Sequence, residues 1–266
     1  MLHTLFHKST LLRSLSPAPI LAAALLGTAL LGTALSGAGA AGADLKGKFV
    51  LDGDVPAAVP VTDPKVGSDF PGSKLVYENL VIDPTTKAIS YITVFVKDDG
   101  FPVTPEAEKA APAEVIVDNK GGQFHPHMSA LWVGKQKLFF TNSDPVSHNS
   151  NFNLAGINPL MPPNSKIPVD VTGTKPIPQD VTCTIHPWMK AIVVARKHPY
   201  VGITGADGAF VIKNLPEGTE IEFQAWHEKS GYLAIPAWEK GRFKMTLKAG
   251  ENDLGEIKVP VAIFNK

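Results

Sequence analysis

Prolines recur along this chain too often for a fold built on long helices: 21 of its 23 lie beyond Ala43. A proline removes a backbone donor and breaks a helix interior, and no long apolar period of 3.6 residues runs between them. Short β-branched and aromatic runs recur instead between turn signals. They include Lys48-Phe49-Val50-Leu51, Ile89 to Val96, Lys137-Leu138-Phe139-Phe140, Ala191-Ile192-Val193-Val194 and Ala209-Phe210-Val211-Ile212. This pattern predicts an all-β chain organised as one or two sandwiches. Only Pro105 to Ala111 reads as a helical or linker turn. Asp207-Gly208 predicts a tight hairpin turn. Pro216-Glu217-Gly218 predicts another, after which Glu220 to Ala225 alternates polar and apolar like a strand.

The first 43 residues stand apart. Lys8 and Arg13 precede an almost wholly Ala, Leu, Gly and Thr run from Ile20 to Leu35, and Ala41-Gly42-Ala43 closes it before Asp44. This is the form of a secretory signal over 1–43. An uncleaved anchor is the rival, because the run is near the roughly 17 residues needed to span a bilayer. Cleavage leaves 23 basic and 25 acidic residues, since Lys8 and Arg13 depart with no acidic residue. The balance of −2 and the lack of a basic block exclude nucleic acid and anionic surfaces as expected partners. No other apolar run could span a membrane, so a periplasmic or secreted protein is expected. The remainder divides into a β segment at 44–104, shared with a second sandwich, a central domain at 105–198, and a smaller β-sandwich at 199–266.

Cys183 is the only cysteine. It can form no internal disulfide, and an exposed thiol would oxidise in an exported protein. It shares seven residues with His186 and Met189, in Cys183-Thr184-Ile185-His186-Pro187-Trp188-Met189. A strand ending at Val181-Thr182 and another beginning at Lys190-Ala191 would leave a short loop that can turn all three side chains toward one ion, stiffened by Pro187. His148, in Asn142-Ser143-Asp144-Pro145-Val146-Ser147-His148-Asn149, is the upstream candidate for a fourth ligand. Two imidazoles, a thiolate and a weak axial thioether suit one copper ion of the electron-transfer kind. Zinc sites use four Cys or His ligands when structural, and a thioether serves zinc poorly. All four ligands are protein groups, which leaves no open position for a substrate.

Val181 to Val194 resembles the C-terminal copper-binding loop of cupredoxins, in the short C-x-x-H-x-x-M form of amicyanin. Gly134 to Asn149 resembles the strand and loop that carry the family's first ligand histidine. The arrangement is similar to the methylamine-utilisation-like cupredoxin proteins. The resemblance covers roughly Ala113 to Lys197 and implies a Greek-key β-sandwich with type 1 copper held by His148, Cys183, His186 and Met189. It implies that Asn149 and Thr184 tie the two ligand loops together. It further implies that His186 lies near the surface as the electron port, with Pro187 and Trp188 in an apolar docking patch. Asn158-Pro159-Leu160-Met161-Pro162-Pro163 has no counterpart in that pattern. Gly202 to Gly218, with Lys46 to Asp54 and the Tyr91 to Val96 strand, resembles the transthyretin-like, carboxypeptidase-regulatory sandwich, which implies a cupredoxin inserted into such a module.

Gln123-Phe124-His125-Pro126-His127-Met128 offers a second metal pair, since His125 and His127 would share a face in a strand; Pro126 argues for an irregular edge there. His198 and His227 lack ligand-like neighbours. No Ser-His-Asp set or phosphate loop stands out. A multicopper enzyme is excluded because beyond residue 43 only His125, His127, His148, His186, His198 and His227 remain. The expected function is an exported carrier of single electrons between redox partner proteins, not an enzyme. The alternative is a non-redox copper-binding or a carbohydrate- or protein-binding module.

Overall fold

The computed structural model describes residues 42–265. The expected secretory signal therefore lies outside the described residues, save Gly42 and Ala43, and Ala43 already belongs to the first strand. Among the described residues the fold is all-β apart from two six-residue helices and two single 3-10 turns. Among the described residues no helix is long and apolar enough to cross a membrane.

Two cores organise the strands. The first lies between a three-stranded sheet and a five-stranded one. In the former, Ala43–Asp52 runs centrally, antiparallel to Ala209–Leu215 and parallel to Gly250–Pro260. The latter orders Val201–Ile203, Thr93–Val96, Glu220–His227 and Gly231–Tyr232, with Arg242–Thr246 also on Glu220–His227. Phe49, Ile92, Tyr200, Phe210 and Phe223 fill the space between them. This core thus draws on both ends of the described chain.

The middle of the chain builds the second core. One sheet orders Gln123–His125, Glu114–Lys120, Lys137–Asn142 and Lys166–Val169, and the other Gln179–Thr182, Lys190–Arg196 and Met128–Trp132. Leu138, Phe140 and Asn142 point inward from Lys137–Asn142 while their neighbours face outward, as strand alternation requires. Lys190–Arg196 departs from alternation because it is covered on both faces. Ala191, Val193 and Ala195 pack into the second core, while Ile192 and Val194 pack with Phe95, Met128 and Trp226. A strand buried on both sides needs a continuous apolar run, and Ala191-Ile192-Val193-Val194-Ala195 is one.

Three local features differ from expectation or extend it. Asp207-Gly208 turns the chain, but its flanking strands enter different sheets, so it forms an arch between layers and not a hairpin. Gly208 has φ +75°, and a Cβ there would lie 2.5 Å from the Phe49 carbonyl, so this contact needs glycine. Pro105–Ala110 is a true helix, capped by Thr104 Oγ1 accepting from the Ala107 amide at 3.2 Å. The segment after Asp52 leaves the first core: Pro64–Asp69 forms a helix capped by Asp63, and Val61, Val66 and Phe70 join the second core. No helix was expected there.

Candidate metal centre

The paired strands Gln179–Thr182 and Lys190–Arg196 bring Thr182 opposite Lys190, so residues 183 to 189 form the loop joining them. The Met189 amide donates to the His186 carbonyl at 2.9 Å, and the Cys183 amide to the Met189 carbonyl at 3.3 Å. These bonds curl the loop. His148 arrives on the short strand His148–Asn149, which pairs with Leu160–Met161. The unmatched Asn158 to Pro163 stretch thus supplies the partner for the His148 strand, and Asn142 Nδ2 donates to the Met161 carbonyl at 2.8 Å.

His148, Cys183 and His186 converge, each at most 2% exposed. Cys183 Sγ lies 4.0 Å from His148 Nδ1 and 3.9 Å from His186 Nδ1, and the two Nδ1 atoms lie 2.9 Å apart. Met189 is buried in the same apolar core as Cys183. The opposite ring nitrogens face carboxylates: His148 Nε2 is 3.0 Å from Asp144 Oδ2, and His186 Nε2 is 2.9 Å from Asp69 Oδ2. An ionised carboxylate only accepts, so each Nε2 carries the hydrogen and each Nδ1 turns a lone pair inward. Two such lone pairs repel at this distance unless a proton or cation lies between them. One cation, bound at roughly 2.0 Å by nitrogen and 2.3 Å by sulfur as first-row metals are, satisfies all three separations. The donor set therefore fits a metal ion, and its softness suits copper.

The electrostatics agree. Burial, reinforced by the charge His186 would carry, pushes the His148 pKa down, with Asp144 and Asp69 opposing; the ring is held neutral, as a ligand must be. The sulfur accepts from the His186 amide at 3.3 Å and the Asn149 amide at 3.5 Å. Asn149 Oδ1 accepts from the Thr184 amide at 2.8 Å, the Thr184 hydroxyl at 3.0 Å and the Ile185 amide at 3.2 Å, so one side chain pins both ligand loops. The side-chain Nδ2 of Asn149 in turn donates to Asn158 Oδ1.

The surroundings of His186 differ from what the resemblance implies. His186 is wholly buried. Asp69 caps its outer nitrogen, Phe70 meets its ring edge-on at 5.4 Å between centroids, and Lys65 Nζ donates to the Ile185 carbonyl at 2.7 Å. Trp188 is buried too, donating through Nε1 to the Gly122 carbonyl at 2.8 Å, and so offers no docking face; Pro187 alone of that pair is exposed. The cause is the Pro64–Asp69 helix, which straps over the loop. The sequence reading missed Asp69, Phe70 and Asp144. Asp144 had a signal, four residues before His148; Asp69 and Phe70 had none, being more than a hundred residues from the loop they cover.

The other histidines separate. His125 is exposed and His127 buried, so they do not meet as a metal pair. His127 lies between two carboxylates, Nε2 at 2.8 Å from Glu228 and Nδ1 at 3.7 Å from Glu78. Burial pushes its pKa down, but the bonds and charges of Glu228 and Glu78 outweigh it and raise the value to about 9. His198 donates from Nε2 to the Val96 carbonyl at 3.1 Å, and His227 Nδ1 accepts from the Lys229 amide at 3.1 Å.

No protein-family model matches the chain, and no curated protein does. Among solved structures, the chain is similar to amicyanin from Paracoccus versutus (Thiobacillus versutus), with 21% identity over 39% of this chain and 97% of that one, at a TM-score of 0.28. It is also similar to a copper(I) form of an amicyanin variant, with 23% identity over 34% and 89% and the same TM-score. A purple cupredoxin from Nitrosopumilus maritimus gives 21% identity over 32% and 99%, at 0.27.

Proposed function

We propose that this chain is an exported type 1 copper protein that carries single electrons between redox partners. The observation that carries the reading is the buried convergence of Cys183 Sγ and two inward Nδ1 atoms, each imidazole fixed from behind by a carboxylate. Copper, when bound, supplies a site that takes up and returns one electron. His148, Cys183 and His186 hold it, with Met189 as a weak axial donor. Asp144 and Asp69 fix ring tautomer and orientation. Asn149 and the amides on the sulfur keep the loops from moving when the charge changes, which is what a carrier needs. No side-chain position is left for a substrate, which supports a carrier over an enzyme. The sandwich formed by the two ends of the chain is read as a transthyretin-like accessory module, and the compartment as periplasmic or secreted.

Copper-loaded protein is expected to show an intense visible thiolate-to-copper band that Cys183→Ala abolishes. Tight copper binding without colour would overturn the reading. Non-redox copper binding is the second reading, and the covering of His186 by Asp69 and Phe70 favours it. Cyclic voltammetry separates the two: a reversible one-electron wave supports the carrier, and its absence the store.

A further inference from the structure

A third buried imidazole repeats the arrangement of the two proposed ligands. His148, His186 and His127 each set Nε2 against a carboxylate, the last against Glu228 at 2.8 Å. In the first two, Nδ1 faces the sulfur. In His127, Nδ1 faces Glu78 Oε2 at 3.7 Å, too far for a hydrogen bond, and it has no hydrogen-bond partner although the side chain is only 2% exposed. A carboxylate behind an imidazole, with a free nitrogen in front, is the usual outer support of a metal-binding histidine.

The geometry points to a second metal site, in which His127 Nδ1 and the Glu78 carboxylate bind a divalent cation of zinc or copper(II) type. Nitrogen and carboxylate ligands bind such ions at roughly 2.0–2.2 Å, so one ion can bridge the 3.7 Å gap. Imidazole with carboxylate suits this class of metal. A cavity of about 250 Å³ opens beside them, lined also by Tyr77, Gln123 and Lys190, and leaves room for water to complete the coordination. Charge balance points the same way. The cluster holds three carboxylates, Glu78, Glu228 and Asp180, and one ammonium, Lys190, which is 2.9 Å from Asp180 and 3.1 Å from Glu228. A proton on His127 answers half of the excess negative charge; a dication replacing it answers all. Its two ligands are distinct from His148, Cys183 and His186, although Pro187, Trp188 and Met189 of the ligand loop line the same cavity.

Calorimetric titration with zinc tests this on the chain carrying Cys183→Ser, which removes the thiolate of the first centre. Adding Glu78→Gln is expected to weaken zinc uptake at least about tenfold, and adding Glu228→Gln to weaken it by about 10- to 100-fold. Glu78 is part-exposed, and an unchanged melting temperature without metal would show that Glu78→Gln leaves the fold intact. Nitrogen NMR supplies the second measurement: zinc should shift His127 Nδ1 while Nε2 keeps its proton. Zinc uptake indifferent to Glu78→Gln, or a His127 Nδ1 resonance that ignores excess zinc, would sink the proposal.

Discussion

A buried histidine shows at the scale of one residue how the fold sets protonation. His198 donates from Nε2 and accepts the Tyr200 amide at Nδ1 at 3.2 Å, so both ring nitrogens are satisfied only when the ring is neutral. Burial, with Arg196 adding to it and Asp99 opposing, lowers its pKa from 6.5 to about 4. The unfolded chain therefore takes up a proton first as pH falls. The stability tied to His198 is whole above about 6.5 and is lost as pH falls through 4, at about 1.4 kcal/mol per pH unit within that window. Urea unfolding at a series of pH values should show an acid limb that His198→Gln makes shallower by about one proton; an unchanged slope would contradict this. The proposed metal ligands were legible at the same scale. Cys183, His186 and Met189 are close in sequence, so spacing alone announced them. The orientation of Asn149 was legible only through the family resemblance, because one carbonyl oxygen that gathers three donors from another loop leaves no trace in spacing.

The ligand loop and the strap over it differ in how far they could be read. Strand–loop–strand periodicity around Cys183 is local, and the loop forms where the apolar runs predict. The Pro64–Asp69 helix is six residues long and has one buried side chain, Val66, so it carries no periodic signal. Its placement depends on Asp69 and Phe70 meeting His186, a contact 117 residues apart for Asp69. Phe70 lies 5.4 Å from the His186 ring, 6.1 Å from that of His148 and 6.3 Å from that of Trp188, so it shields the whole imidazole edge. Phe70→Ala should open this edge to solvent. Copper-loaded Phe70→Ala is expected to exchange electrons with a small soluble oxidant several-fold faster than the parent, at some cost in stability, about 3–5 kcal/mol for a buried Phe. Stopped-flow rates that stay unchanged would show that electrons do not leave through the His186 edge.

Over the whole molecule, the strand Lys190–Arg196 decides whether the two cores act as one body. It follows the ligand loop directly, and its alternate residues serve different cores, Ala191, Val193 and Ala195 on one face and Ile192 and Val194 on the other. Losing either face would leave an apolar run facing water, and the parallel partner Met128–Trp132 ties the strand to the central segment. The described residues accordingly fall within one compact unit. The sequence offered two sandwiches but could not say how they adhere, because a continuous apolar run reads the same whether one cover or two lie over it. Ile192 is fully buried at this seam. Ile192→Ala should cost about 2–5 kcal/mol, and because the strand is shared the loss should lower the melting of both cores together. Differential scanning calorimetry would then show one transition in the parent and one, displaced downward, in the variant. If the parent melted in two steps, or the variant moved only one of them, the two cores would be independent domains, and the ligand loop would owe its rigidity to the central sandwich alone.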